Sequence, residues 1–91
     1  MARLNIRSDD SFRGLQKSIE GLDDSMDFGD FLELVRTTFE IPEQEYSKYR
    51  LLGPFAANVK GLVDPSKSLR YVREEFGIVW GSSLLLEKVI R

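Results

Sequence analysis

Cysteine and histidine are both absent from this 91-residue chain. No disulfide can staple the fold, so an apolar core must hold it alone. Missing cysteine fits a reducing compartment, and the expectation is an intracellular protein, cytoplasmic or nuclear. Without histidine there is no Ser-His or Cys-His nucleophile pair. Zinc sites built from Cys and His are excluded as well. Ser82 and Ser83 therefore have no base to activate them. We expect a protein that is not an enzyme and that carries no cofactor and no metal.

Long apolar runs are missing too. None approaches the ~20 residues that span a bilayer, and the first residues form no apolar signal segment. Neither Asn5 nor Asn58 begins a glycosylation acceptor. No internal repeat and no linker stand out. The expectation is one domain over residues 1–91, with no membrane partner.

What is present is an ordinary globular balance, 42% hydrophobic and 31% charged. Net charge is −2 but unevenly spread. Residues 23–46 carry a local charge of −7, against +1 before them and +4 after them. The middle of the chain should repel nucleic acid and anionic lipid. The later cations, Lys60, Lys67, Arg70 and Arg73, are not interleaved with exposed aromatics, so no nucleic-acid partner is expected. Asp9-Asp10 and Asp23-Asp24 lack the spacing of a calcium loop.

Residues 2–7 alternate in the period of a half-buried strand, with Leu4 and Ile6 inward. Residues 12–22 admit two readings. A strand with a bulge uses Phe12, Leu15 and Ile19; a helix capped by Ser11 uses the same residues and Leu22. Gly14 and Gly21 favour the strand.

Residues 27–39 are the clearest helix. Phe28, Phe31, Leu32, Val35 and Phe39 share one face, Asp27 is a good N-cap, and Pro42 stops the helix. Residues 48–52 read as a strand with Tyr49 and Leu51 inward. A loop follows over residues 53–63, with a short strand at 59–63. Asp64 and Pro65 then open a second helix, with Leu69, Val72 and Phe76 inward and Gly77 at its end. Gly81-Ser82-Ser83 is a turn, and residues 84–90 form a last strand with Leu84 and Leu86 inward.

In this order the residues resemble the ubiquitin-like (β-grasp) superfamily. Asp27-Phe28 through Val35 is similar to its main helix, and Glu40-Ile41-Pro42-Glu43 to the exit from that helix. Lys48 to Leu52 is similar to its third strand. Gly81-Ser82-Ser83-Leu84-Leu85-Leu86 is similar to its last turn and strand. About two-thirds of the chain is covered; residues 8–22 and 53–76 depart from the pattern with extra length.

The resemblance implies an α+β fold: a β-grasp roll whose mixed four- to five-stranded sheet packs on one main helix, with a short second helix. It also implies a protein-binding adaptor module, monomeric in isolation, within a larger protein. Conjugated members end in paired glycine, whereas this chain ends Val89-Ile90-Arg91, so a conjugated modifier is not expected. The family's apolar patch falls by position on Leu52, Leu85 and Glu87. Leu52 and Leu85 keep it apolar, while Glu87 brings a charge.

Three further residues are candidate anchors. Phe55 and Val59 lie in an unusually apolar loop, and either seize a partner or fold back into the core. Trp80 either caps the core edge or anchors an interface. Arg3, Arg7, Arg13 and Lys17 support an alternative, a Ras-association-type GTPase-effector domain. The acidic main helix counts against it. A FERM-type first lobe, packed on a neighbouring domain, is the other alternative. A PB1 scaffold fits less well, since residues 53–63 hold no acidic cluster.

Overall fold

The computed structural model describes residues 2–8 and 16–89. Among the described residues four strands form one sheet: β1 (Leu4–Ser8), β2 (Gln16–Ile19), β3 (Tyr49–Leu52) and β4 (Ser83–Lys88). Their order is β2-β1-β4-β3. The central pair β1–β4 is parallel and both outer pairs are antiparallel. This mixed order is that of a ubiquitin-like β-grasp roll, as expected. Of residues 12–22, Gln16–Ile19 is strand and no described residue is helical; Phe12, Arg13 and Leu15 lie outside the described residues.

The period-two pattern puts Leu4, Ile6, Leu51, Leu84 and Leu86 on one face of the sheet. Helix α1 (Phe28–Thr38) lies against that face with Phe28, Phe31 and Val35 buried. The short α2 (Val59–Leu62) and α3 (Leu69–Phe76) close the remaining side of the core through Val59, Leu69 and Val72. The opposite face of the sheet is open.

The chain between β3 and α3 departs from expectation. Residues 59–62 form a helix, not a strand, because Asn58 caps them by accepting from the Gly61 N–H at 3.4 Å. Asp64 does not cap α3. It accepts from the Ser66 N–H and hydroxyl, each at 2.9 Å, in a side-chain turn. The cap of α3 is Ser68, whose hydroxyl accepts from the Tyr71 N–H at 3.1 Å.

The structure also shows a local repeat where none was expected. Asp23 makes the same turn with Ser25 that Asp64 makes with Ser66. Each turn leads into a helix, and the two helix starts pair back to back. Phe28 N–H donates to Lys67 C=O at 2.7 Å, and Leu69 N–H to Met26 C=O at 2.8 Å. Gly29 N–H donates to Pro65 C=O at 2.9 Å, and Arg70 N–H to Asp24 C=O at 3.0 Å. These bonds satisfy first-turn donors that helices otherwise leave orphaned. Asp27 stands at the N-cap position but its side chain makes no capping bond. Gly29 eases this approach: a Cβ there would stand 3.2 Å from the Pro65 Cβ, a tight contact.

Both helices end alike, in Arg36-x-x-Phe39-x-Ile41 and Arg73-x-x-Phe76-x-Ile78. Glu40 (φ 55°) and Gly77 (φ 67°) take the left-handed position. Ile41 N–H donates to Arg36 C=O at 3.0 Å and Ile78 N–H to Arg73 C=O at 2.9 Å, the closing bond of a Schellman motif. Each arginine then donates forward, to Ile41 C=O at 2.8 Å and to Ile78 C=O at 3.2 Å. So α1 ends through Glu40, ahead of Pro42.

Candidate functional site

Strand alternation turns Arg7, Gln16, Arg50, Leu52, Leu85 and Glu87 onto the open face. The register aligns them in rows. Gln16 lies opposite Arg7, Arg7 opposite Leu85, and Leu85 opposite Leu52, a row that crosses all four strands. The adjoining row places Glu87 opposite Arg50.

Leu52 and Leu85 are half-buried, with apolar surface still open to solvent. They line a shallow depression of about 310 Å³ together with Arg7, Gly53, Ala56, Ser83 and Leu84. Arg7 is exposed and forms no hydrogen bond or ion pair with any described residue. Glu87 does not stand alone as expected from its position. It is ion-paired across the strands with Arg50, so the patch carries a neutral pair at one side and, at the other, a cation with no partner among the described residues.

The turn after β3 separates the two loop candidates. Phe55 is fully exposed, while Val59 is fully buried at 0% exposure. Val59 is therefore a core residue and not a surface anchor. Its side chain packs beside Gly53, where an added Cβ would stand 3.3 Å from it. Phe55 sits in a tight 3-10 turn, Pro54–Ala56, closed by Gly53 N–H to Ala57 C=O at 2.8 Å. Phe55 (φ 61°) and Ala56 (φ 59°) both adopt left-handed backbone without being glycine. Such strain costs roughly 1–2 kcal/mol per residue and gathers at functional positions.

Trp80 is held within the molecule. It is half-buried against the core, with the Arg73 guanidinium 4.1 Å from its ring centre. Arg73 also grips the Asp24 carboxylate with two bonds, of 2.9 and 2.8 Å. That hydrogen bonding holds the Asp24 carboxyl below the usual carboxylate range.

The three described basic candidates, Arg3, Arg7 and Lys17, are not brought together. Lys17 points to the helix side with Ile19. It donates to Thr38 C=O at 3.1 Å, at the carbonyl end of α1, and lies 5.6 Å from the Phe39 ring centre. Arg3 is exposed at the start of β1, and Arg13 lies outside the described residues. Of the three described candidates, Arg7 alone borders the depression. Sequence reasoning assigned Arg7 to the rival reading; the register Arg7–Leu85 is what joins it to the leucines, and that register is a long-range fact.

Among the described residues no group of three His, Cys, Asp or Glu side chains is placed to hold a metal ion. No helix among them is long and apolar enough to cross a membrane.

Comparison with known proteins supports the architecture. Neither a protein-family model nor a curated protein sequence matches the chain. Among solved structures, the chain is similar to the UBL domain of Plasmodium falciparum Dsk2. The TM-score is 0.64 at 11% identity, over 96% of each chain. The likeness shows the fold.

Proposed function

We propose that this domain is a non-catalytic recognition module, an adaptor that binds a protein partner through the open face of its sheet. The row Arg7–Leu85–Leu52 carries this reading. Two half-buried leucines supply apolar surface, and the exposed guanidinium of Arg7 beside them selects a partner group that accepts hydrogen bonds. Phe55, presented by the Pro54–Ala56 turn, adds an aromatic contact at the rim. The similar Plasmodium falciparum structure is itself a UBL domain, which supports a module within a larger protein.

The chemistry of the face favours modest affinity. Covering the two leucines and Phe55 removes apolar surface at roughly 25 cal/mol per Å², most of it offset by the cost of association. The test is Leu85→Asp in the intact chain, with partner capture and a backbone NMR spectrum on the same sample. Loss of capture with an unchanged fold supports the reading. Capture at the parent level removes the sheet face from consideration.

A further inference from the structure

A second concavity lies within residues 53–76, one of the two segments whose sequence departs from the ubiquitin-like pattern. It has a volume of about 270 Å³ and is lined by Leu62, Val63, Asp64, Lys67, Tyr71, Glu75 and Phe76. It shares no residue with the sheet-face depression. Tyr71 and Glu75 stand four residues apart on one side of α3, and Lys67, in the turn just before the helix, adjoins them. Leu62, at the end of α2, stands 66% exposed, and Tyr71 stands 43% exposed. Val63 and the half-buried Phe76 close the floor.

The charges around this groove are not balanced. Lys67 already lies over the Tyr71 ring, 5.1 Å from its centre, an attraction that satisfies part of its charge. Asp64 is tied to Ser66 but remains a carboxylate, held below the usual range chiefly by the Ser66 N–H. Glu75 has no ion pair and no hydrogen bond with any described residue, whereas its neighbour Glu74 is paired with Arg70. An apolar centre is thus flanked by two acidic groups against one committed cation. A second copy of the chain would bring the same excess of acid to the contact, which disfavours self-association there.

We infer that this α2–α3 groove is a second docking surface, and that its occupant is a basic peptide segment seating one large apolar side chain between flanking arginines or lysines. The apolar residue covers Leu62, Tyr71 and Phe76, and the flanking cations meet Glu75 and Asp64. The groove's volume lies below the roughly 300–1,000 Å³ of small-molecule sites, and suits one side chain. A module with one site on the sheet and another on α3 can hold two protein segments at once.

The test is an NMR titration of the labelled intact chain with a seven-residue peptide. The peptide has a central leucine, an arginine and a lysine on either side of it, and glycine ends. The expected result is shifts on residues 62–64 and 67–76. Glu75→Lys should weaken binding by about 3-fold or more, and a glycine in place of the central leucine should abolish it. Leu85→Asp should bind this peptide like the parent, which keeps the result independent of the sheet-face reading. Shifts centred instead on the acidic α1, parent-level binding by Glu75→Lys, equal binding of the leucine-free peptide, or no shifts at millimolar peptide would each overturn the inference.

Discussion

Arg73 holds Asp24 across 49 residues of sequence through two parallel bonds, of 2.9 and 2.8 Å, while its guanidinium plane covers Trp80. One side chain thus links the turn before α1, the end of α3 and the chain entering β4. Asp24 has a folded-state pKa below its unfolded value. The stability it contributes is therefore present above the unfolded carboxylate pKa of about 3.9 and lost as pH falls through the folded value. Asp23, Glu33 and Asp64 shift in the same direction through their own hydrogen bonds. The expected outcome is a melting temperature that drops in acid, with Trp80 fluorescence reporting release of the Arg73 stack. Asp24→Asn should lower the melting temperature at neutral pH and flatten its acid dependence.

The cap of α3 gives a second prediction. Ser68 accepts from the Tyr71 N–H, so Ser68→Ala should cost about 0.5–2 kcal/mol in urea unfolding. Asp27→Ala removes no capping bond, because the first donors of α1 are taken by Pro65 and Lys67 carbonyls. It should cost less than Ser68→Ala. The reverse order would show that the helix starts are held by side chains and not by their mutual backbone pairing.

These two helix starts mark how far the sequence could be read. The faces of α1 and β4 were legible, because Phe28, Phe31 and Val35, or Leu84 and Leu86, repeat at the element's own period. Gly77 was legible as a helix end because a left-handed residue there favours glycine. The cap of α3 was misplaced onto Asp64 because Asp and Ser serve turns and caps alike, and only the backbone path decides between them. The matched Arg-x-x-Phe-x-Ile endings escaped notice because the helices differ in length, 11 residues against 8, so no fixed period links them. Leu52 and Leu85 were placed on the open face by alternation alone. That Arg7 joins them, that Arg50 neutralises Glu87, and that Val59 turns inward while Phe55 turns outward all depend on long-range register and on two left-handed residues. A local pattern does not encode these.

The strained turn supplies a third prediction. Ala56 pays the left-handed cost without being glycine. Ala56→Gly should stabilise the fold by about 0.5–1 kcal/mol, the strain relieved less the extra entropy glycine loses. Phe55→Asn should stabilise by a similar route, since Asn tolerates this backbone, while removing the exposed ring. If Phe55 serves the partner, the two variants part company in binding: Phe55→Asn, which removes the exposed ring, weakens capture more than Ala56→Gly, which removes one methyl from the lining of the depression. Urea midpoints and partner capture on the same preparations check both.

Lys17 and Arg7 separate the two readings of the basic strands. Lys17 donates to the carbonyl end of α1 and lies on the Phe39 ring, an arrangement that favours a cation at a helix C-terminus. Lys17→Ala should therefore cost about 0.5–1.5 kcal/mol of stability. Arg7 has no partner among the described residues, so Arg7→Ala should leave stability within ~0.5 kcal/mol. For binding the roles reverse. Arg7→Glu should weaken a partner on the sheet face, and Lys17→Ala should weaken it only through the fold. A GTPase-effector surface built on β1 and β2 needs both cations to face outward. Equal losses of binding from Arg7→Ala and Lys17→Ala, measured well below either variant's unfolding midpoint, would favour that surface over the Leu52–Leu85 depression.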